Sequence, residues 1–421
     1  MLERIVLLGI LMLIYGVSVY SYSVWIGHIN VSRNIGYVFK KGGFIEWGFN
    51  KLTAVIPVVR NILKVKGFPD MKGYIVNTSL GGWTLQDFQD KRFALESSLG
   101  EYIYAMNQHP RNPSILSIVT TRKALPERWQ IDIPDFLSLT QFTQGTPHFG
   151  SAYFYDDFIC FGRTFGDMDV GFGYDDLIHV LIGGTSGGGK TVLIKYLLCQ
   201  IMYQKHLACV IDLKGGIDFS WIKSRKIPII TSQEFALKVL QRLVQVHYER
   251  IQILRNCGAA KISAMKPDKQ PPRIFVIADE VAELLSPIDS TKPAKELVAE
   301  IEKCLSIIAR LSRATGIHLI CATQKPTVDI IKAQIRENLA TRIAFRMTDT
   351  GSSLAILGDA SAAGLPHIAG RCIVRSGSND FVTQVPYITN RFLEAMFKNY
   401  RSEDGKDGEV SEENNQALAA V

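Results

Sequence analysis

The sequence predicts an α/β fold built on a parallel sheet. Three observations lead there. From residue 177 onward, short apolar runs alternate with segments of helical length and spacing. A glycine-rich loop lies between one of these runs and the helix after it, and another run ends in two adjacent carboxylates. Strands that alternate with helices form crossover units, so the strands lie parallel and are covered on both faces. The predicted strands cover residues 177–182, 207–213, 274–278 and 317–322, and the helices residues 190–205, 232–257 and 295–314.

The chain has 421 residues, more than one compact core normally holds. Its pattern divides into five segments. Residues 1–30 read as an N-terminal transmembrane anchor: no charge falls between Arg4 and Arg33, and residues 5–26 meet the need for about 20 apolar residues to span a bilayer. Tyr15, Tyr20, Tyr22 and Trp25 supply interfacial anchoring. Residues 31–67 form a basic juxtamembrane segment. Through Lys66 eight basic residues face only Glu3 and Glu46, a balance that marks the cytoplasmic side. Within it, residues 44–63 read as an amphipathic helix on the membrane surface, with a second span as the alternative. Glu46, Lys51 and Arg60 are costly at a bilayer centre.

Residues 68–156 read as a small α+β domain, with helical spacing over 85–106 (Phe88, Phe93, Leu95, Leu99, Ile103) and a strand at 114–120. Residues 158–165 and 171–176 lead into the large α/β unit over 157–390. Residues 391–421 form an acidic tail without a core-forming pattern, expected to be disordered; from Arg401 it carries two basic and six acidic residues. The seven cysteines contain no C-x-x-C pair and read as reduced core thiols.

Gly184-Thr185-Ser186-Gly187-Gly188-Gly189-Lys190-Thr191 fits the phosphate-loop pattern G-x-x-x-x-G-K-[ST], after a strand and opening a helix. Glycines let backbone N–H groups close around phosphate oxygens, and the helix N-terminus favours the negative charge. Lys190 is the candidate for the β- and γ-phosphates of ATP, and Thr191 for Mg²⁺. The run from Arg273 to Ala278 ends in Asp279 and Glu280. Asp279 is the candidate holder of the Mg²⁺ shell, and Glu280 the group that polarises the attacking water. The run from Ile317 ends in Thr323 and Gln324, which puts Gln324 at a ligand-facing strand end as a γ-phosphate sensor. His318 reads as a packed strand residue. No metal-ligand spacing of Cys, His and Asp is present.

Several motifs in order resemble the motor of the FtsK/SpoIIIE family. They are Ile211-Asp212-Leu213-Lys214, Asp279-Glu280-Val281-Ala282-Glu283-Leu284-Leu285, Arg313-Ala314-Thr315-Gly316-Ile317-His318-Leu319, Ala322-Thr323-Gln324-Lys325-Pro326-Thr327-Val328-Asp329, and residues 335–345 with Asn338 and Thr341-Arg342-Ile343. The resemblance spans about Phe158 to Tyr387. It implies a RecA-like P-loop ATPase core, a Mg²⁺-dependent ATPase that moves DNA, and a ring, usually a homo-hexamer, with nucleotide between subunits; little sequence preference is expected because no reader domain is read in the sequence. By motif match Arg313 is the arginine that reaches a neighbour's nucleotide, with Arg342 as runner-up.

The large chromosome translocases of the family carry several spans and a C-terminal winged helix; here one firm span precedes the motor and about 30 residues follow Thr389. The build resembles instead the FtsK-like coupling proteins of Gram-positive conjugative elements, which implies a relaxase complex and secretion-channel proteins as partners. The alternatives are a chromosome-partitioning translocase of division or sporulation and a type VII-like protein-secretion ATPase. The basic cluster Lys223, Arg225 and Lys226 reads as a solvated turn, with phosphate contact as the functional alternative.

Overall fold

The computed structural model describes residues 46–48, 53–55, 58–64, 71–79, 83–109, 111–132, 158–165, 168–222, 227–324, 331–377 and 379–401. The chain divides into two compact units, residues 1–124 and 125–421.

The first unit is α+β, and its sheet draws in a strand, Val58–Lys64, from the segment read as juxtamembrane. A short antiparallel pair joins β1 (Glu46–Gly48) to β2 (Thr53–Val55). A four-stranded antiparallel sheet runs in the order β3-β4-β6-β5, with β3 at Val58–Lys64, β4 at Met71–Asn77, β5 at Tyr102–His109 and β6 at Asn112–Thr121. Two helices, α1 (Leu85–Asp90) and α2 (Arg92–Leu99), connect β4 to β5. Thr84 and Asp87 form a capping box at the start of α1. Phe88 and Leu95 from the helices pack with Tyr74, Val76, Ile103, Met106, Leu116 and Ile118 from the sheet. Beside this core, the buried Glu101 carboxylate accepts from Lys72 Nζ at 2.6 Å, Tyr74 OH at 2.9 Å, Thr120 Oγ1 at 2.7 Å and Arg122 Nε at 3.2 Å.

Two expectations are corrected in this unit. The helix predicted over 85–106 stops at Leu99, because Gly100 takes φ 65 and caps it in the left-handed region. Ile103, which fits the helical period, is a buried strand residue on β5. The amphipathic helix or second span predicted over 44–63 is likewise replaced by strands β1, β2 and β3. The β-branched Val55, Val58, Val59 and Ile62 favour that outcome. The anchor predicted over 5–26 lies outside the described residues. Among the described residues no helix is long and apolar enough to cross a membrane.

The second unit is organised by a ten-stranded sheet in the order β11-β10-β12-β13-β9-β14-β15-β16-β7-β8. Its strands are β7 (Phe158–Thr164), β8 (Met168–Gly173), β9 (Val180–Gly183), β10 (Leu207–Ile211) and β11 (Ile229–Ile230). They continue with β12 (Ile274–Ala278), β13 (Ile317–Thr323), β14 (Thr341–Phe345), β15 (Arg371–Ser376) and β16 (Asn379–Gln384). From β11 to β14 every pairing is parallel; from β14 to β8 every pairing is antiparallel. Each residue of β9, β12 and β13 is buried, as expected of parallel strands covered on both faces.

Helices α3 (Lys190–Tyr203), α4 (Gln233–Cys257) and α5 (Lys292–Leu311) are the crossovers predicted from periodicity. Ser232 and Thr291 cap the last two through their side chains, and Gly258 closes α4 in the left-handed region. Helix α6 (Thr350–Leu357) follows β14, and α7 (Asn390–Arg401) follows β16.

The unit is larger than its sequence pattern suggests, at both ends. Trp129 and Ile131 are buried in its core, and Gln130 forms a parallel bridge with Tyr387. The segments 158–165 and 171–176, expected as a lead-in, supply the hairpin β7–β8 at the sheet edge. The start of the predicted tail is α7, whose Phe392 and Leu393 are buried in the same core; the rest, from 402, lies outside the described residues. Six cysteines are buried, Cys257 is exposed, and all seven are free thiols.

Candidate nucleotide site

Register brings the predicted site together. Ile211 pairs with Ala278, Ala278 with Cys321, Thr323 with Gly183, and Gly183 with Ala344. The C-terminal ends of β10, β12, β13, β9 and β14 therefore lie along one edge, where α/β sheets bind ligands.

At that edge β9 delivers the glycine loop. Gly187 has φ 73 and Gly189 φ 115, conformations costly for any residue with a Cβ. A Cβ on Gly184 would lie 2.7 Å from Phe345 Cβ, so the loop sits directly on the end of β14. Lys190 opens α3 and is 6% exposed. Its ammonium donates to the carbonyl oxygens of Gly184 and, at 2.9 Å, of Thr185. Burial lowers its pKa, opposed by the charges of Glu280 and Asp279. A polyphosphate would replace these neutral acceptors with charged ones, a stronger pairing in a half-dry site. Thr191 follows within the same first turn, half-buried.

The acidic partners stand at the ends of β12 and β10, on the far side of β13 from β9. Asp279 N–H donates to Ile211 O at 3.1 Å, which sets Asp279 beside Asp212, the residue after β10. Both are buried, at 6% and 3% exposed. Among the described residues no side chain or N–H donates to the Asp279 carboxylate. Burial and then the Asp212 charge push its carboxyl up to about 6. A carboxylate desolvated in this way fits a divalent cation. Glu280 is half-buried and accepts the Gln324 backbone N–H on both oxygens, at 3.2 and 2.9 Å. The link from Gln324 to this site thus runs through its backbone, while its side chain is exposed. Lys214 approaches Glu283 at 3.9 Å near the same edge.

The remaining candidates lie elsewhere. Arg313 sits in the 3-10 turn before β13, at the opposite end of that strand from Gln324, and its Nη2 donates to Asp175 O at 3.2 Å. Seven strand residues at about 3.3 Å each separate the two ends, so Arg313 is remote from its own phosphate loop. Arg342, on β14, donates Nη1 to Ile356 O at 3.1 Å. His318 is 1% exposed and stacked on Phe275 at 4.9 Å, as predicted of a packed residue. Residues 223–226 and 325–330 lie outside the described residues. Asp212 and Phe345, which the sequence marks only as parts of motifs, and Gly370, which no motif contains, all support the site. For Asp212 the signals are its place at the end of an apolar run and in the Ile211-Asp212-Leu213-Lys214 motif.

A glycine loop between a buried strand and a helix, a lysine at its end and carboxylates at the end of β12, one strand removed across β13, define a P-loop ATPase. Residues 160–270 match the FtsK/SpoIIIE family. The chain is 31% identical over 248 residues to the DNA translocase FtsK of Chlorobaculum tepidum, a match covering 53% of this chain and 29% of that protein. The chain therefore spans less than a third of that relative's length. Among solved structures it is similar to the pCW3 conjugation coupling protein TcpA in its monomer form with ATPγS. That likeness has a TM-score of 0.60 and 23% identity, and covers 88% of this chain and 99% of that one. It is also similar to EssC ATPases 2 and 3 from Geobacillus thermodenitrificans, with a TM-score of 0.51 and 16% identity over 66% of this chain and 53% of that one.

Proposed function

We propose that this protein is a membrane-anchored, ATP-driven DNA translocase that acts as the coupling protein of conjugative DNA transfer. The observation that carries the reading is the whole-chain likeness in fold to a conjugation coupling protein, which takes in nearly all of that chain and most of this one. The apolar stretch 5–26 and the basic residues after it support a membrane anchor with the motor on the cytoplasmic side.

In this reading Lys190 and the amides of 184–191 hold the phosphates of ATP. Thr191 and Asp279 would hold Mg²⁺, which would supply positive charge against the phosphates. Glu280 takes a proton from the attacking water, and Gln324 orients that water or senses the γ-phosphate. Arg313 serves the nucleotide of a neighbouring subunit in a homo-hexameric ring, since its own phosphate loop lies at the far end of β13. A relaxase complex and secretion-channel proteins are the partners at either end of the route.

Mating efficiency tests this role, in a donor that lacks the protein and is complemented with wild type or Lys190→Ala. Transfer should return only with the wild type. Normal transfer without the protein would overturn the coupling role, and a chromosome-segregation defect in its place would favour a partitioning translocase.

A further inference from the structure

The phosphate loop is held from behind by residues that take no part in the chemistry. Gly370 N–H donates to Gly188 O at 2.9 Å, and Gly370 O accepts from Val385 N–H at 2.9 Å. The approach leaves no room for side chains. Gly370 has φ 79, and a Cβ on it would lie 2.7 Å from Gln384 Nε2. A Cβ on Gly189 would lie 3.0 Å from Gly370 Cα.

Two buried side chains fix this turn. Gln384, 2% exposed, donates Nε2 to Ala369 O at 2.9 Å and accepts at Oε1 from Arg371 Nε at 2.9 Å. Arg371, 6% exposed, donates Nη2 to Pro126 O at 2.9 Å. Three residues beyond the end of β16, Tyr387 N–H donates to Trp129 O at 2.6 Å beside the Gln130–Tyr387 bridge. The Arg128 guanidinium lies over the Tyr387 ring at 4.0 Å, and that of Arg163 over Trp129 at 4.4 Å. Residues 125–131 therefore form a strap fastened to the same turn that holds the phosphate loop. This strap is where the chain enters the second unit.

We infer that the strap and the phosphate loop are the two ends of one coupled element. Arg371 and Gln384 are positioning residues within it, so that seating of the strap sets nucleotide affinity. A guanidinium this deeply buried depends on its acceptors. When the strap lifts, Arg371 loses the Pro126 carbonyl and must re-seat, which moves Gln384 and, through Ala369, the Gly370 N–H. Gly188 then loses its partner and the glycine loop its fixed shape. Tension arriving from the first unit would be read in this way as a change in ATP binding. Linkage makes the effect reciprocal: nucleotide must also tighten the strap.

The inference rests on the loop being the ATP site, and hydrogen exchange of the full-length protein with and without ATPγS separates the two. ATPγS should slow exchange at 184–191 and also at the strap 125–131 and at 385–388. Protection at 184–191 with no change at the strap overturns the coupling alone; no protection at 184–191 overturns the ATP site itself. A second measurement uses Arg371→Lys, which keeps the charge and loses the fork. It should weaken binding of a fluorescent ATP analogue by about 5- to 20-fold, leave turnover at saturating ATP within about twofold, and abolish nucleotide-dependent protection of the strap. Unchanged affinity, or turnover that falls while affinity holds, contradicts the positioning role.

Discussion

The Glu280 carboxylate accepts the backbone N–H of Gln324 through both oxygens, at 3.2 and 2.9 Å. Adjacent parallel strands, β12 and β13, make this possible, because Ala278 and Cys321 are paired and the residues beyond them converge. The acid is thereby aimed by backbone, independently of any side chain. Glu280→Gln keeps the size and removes the proton acceptor. Nucleotide binding should persist while turnover falls by about 10²- to 10⁴-fold. Single-turnover hydrolysis and equilibrium binding check both halves, and wild-type turnover would remove Glu280 from its role.

Lys190 has neutral acceptors in the carbonyls of Gly184 and Thr185. Lys190→Ala removes the main cation facing the phosphates while leaving the glycine backbone in place. ATP affinity should fall by at least about 10-fold, consistent with loss of a charge-assisted pairing of about 1.5–3 kcal/mol. Calorimetric titration with ATPγS measures it.

The first unit has its own pH signature. Burial raises the Glu101 pKa, but hydrogen bonds from Lys72, Thr120 and Tyr74 outweigh that and bring it down to about 2 from an ordinary 4.5. A depressed carboxylate stabilises the fold above its unfolded pKa. This contribution is therefore complete above about 4.5 and is lost as pH falls toward about 2. Lys72 and Arg122 are 40% and 76% exposed, so solvent screens most of the pairing and about 1 kcal/mol is expected. Hydrogen exchange of residues 102–121 in Glu101→Gln should match that of the wild type near pH 2 and be faster near pH 6, after correction for intrinsic rates.

Arg313 and the phosphate loop occupy opposite ends of the same sheet, which excludes action within one subunit. Arg313→Ala should bind ATP and fail to hydrolyse it. Mixing it with Glu280→Gln subunits should restore part of the activity, because some interfaces then pair an intact arginine with an intact acid. No recovery in rings shown by mass to be mixed would leave Arg313 as a partner of Asp175 O only.

Four strands of the parallel half, β9, β10, β12 and β13, are legible in the sequence as apolar runs: Ile274–Ala278 is wholly apolar, and its end is marked by Asp279 and Glu280; β14 and the two-residue β11 carry no such run. The glycine loop was legible because its chemistry admits few alternatives. The antiparallel half was hidden. Gln384 pairs with Arg163, more than 200 residues earlier, and no local pattern announces that. Gly370 faces Gly188 across a similar gap, so its role emerges only from packing. In the first unit the period of Phe88, Leu95 and Ile103 fits a helix and, beyond Gly100, equally fits a strand.

The most direct test of the account is the rate of ATP hydrolysis by the purified full-length protein with and without DNA, at several salt concentrations. DNA should raise the rate, with little dependence on sequence and with stimulation that fades as salt rises, because phosphate contacts release counterions. Lys190→Ala should show no rate under any condition. A wild-type rate indifferent to DNA at every salt concentration would contradict the claim that this ATPase moves DNA.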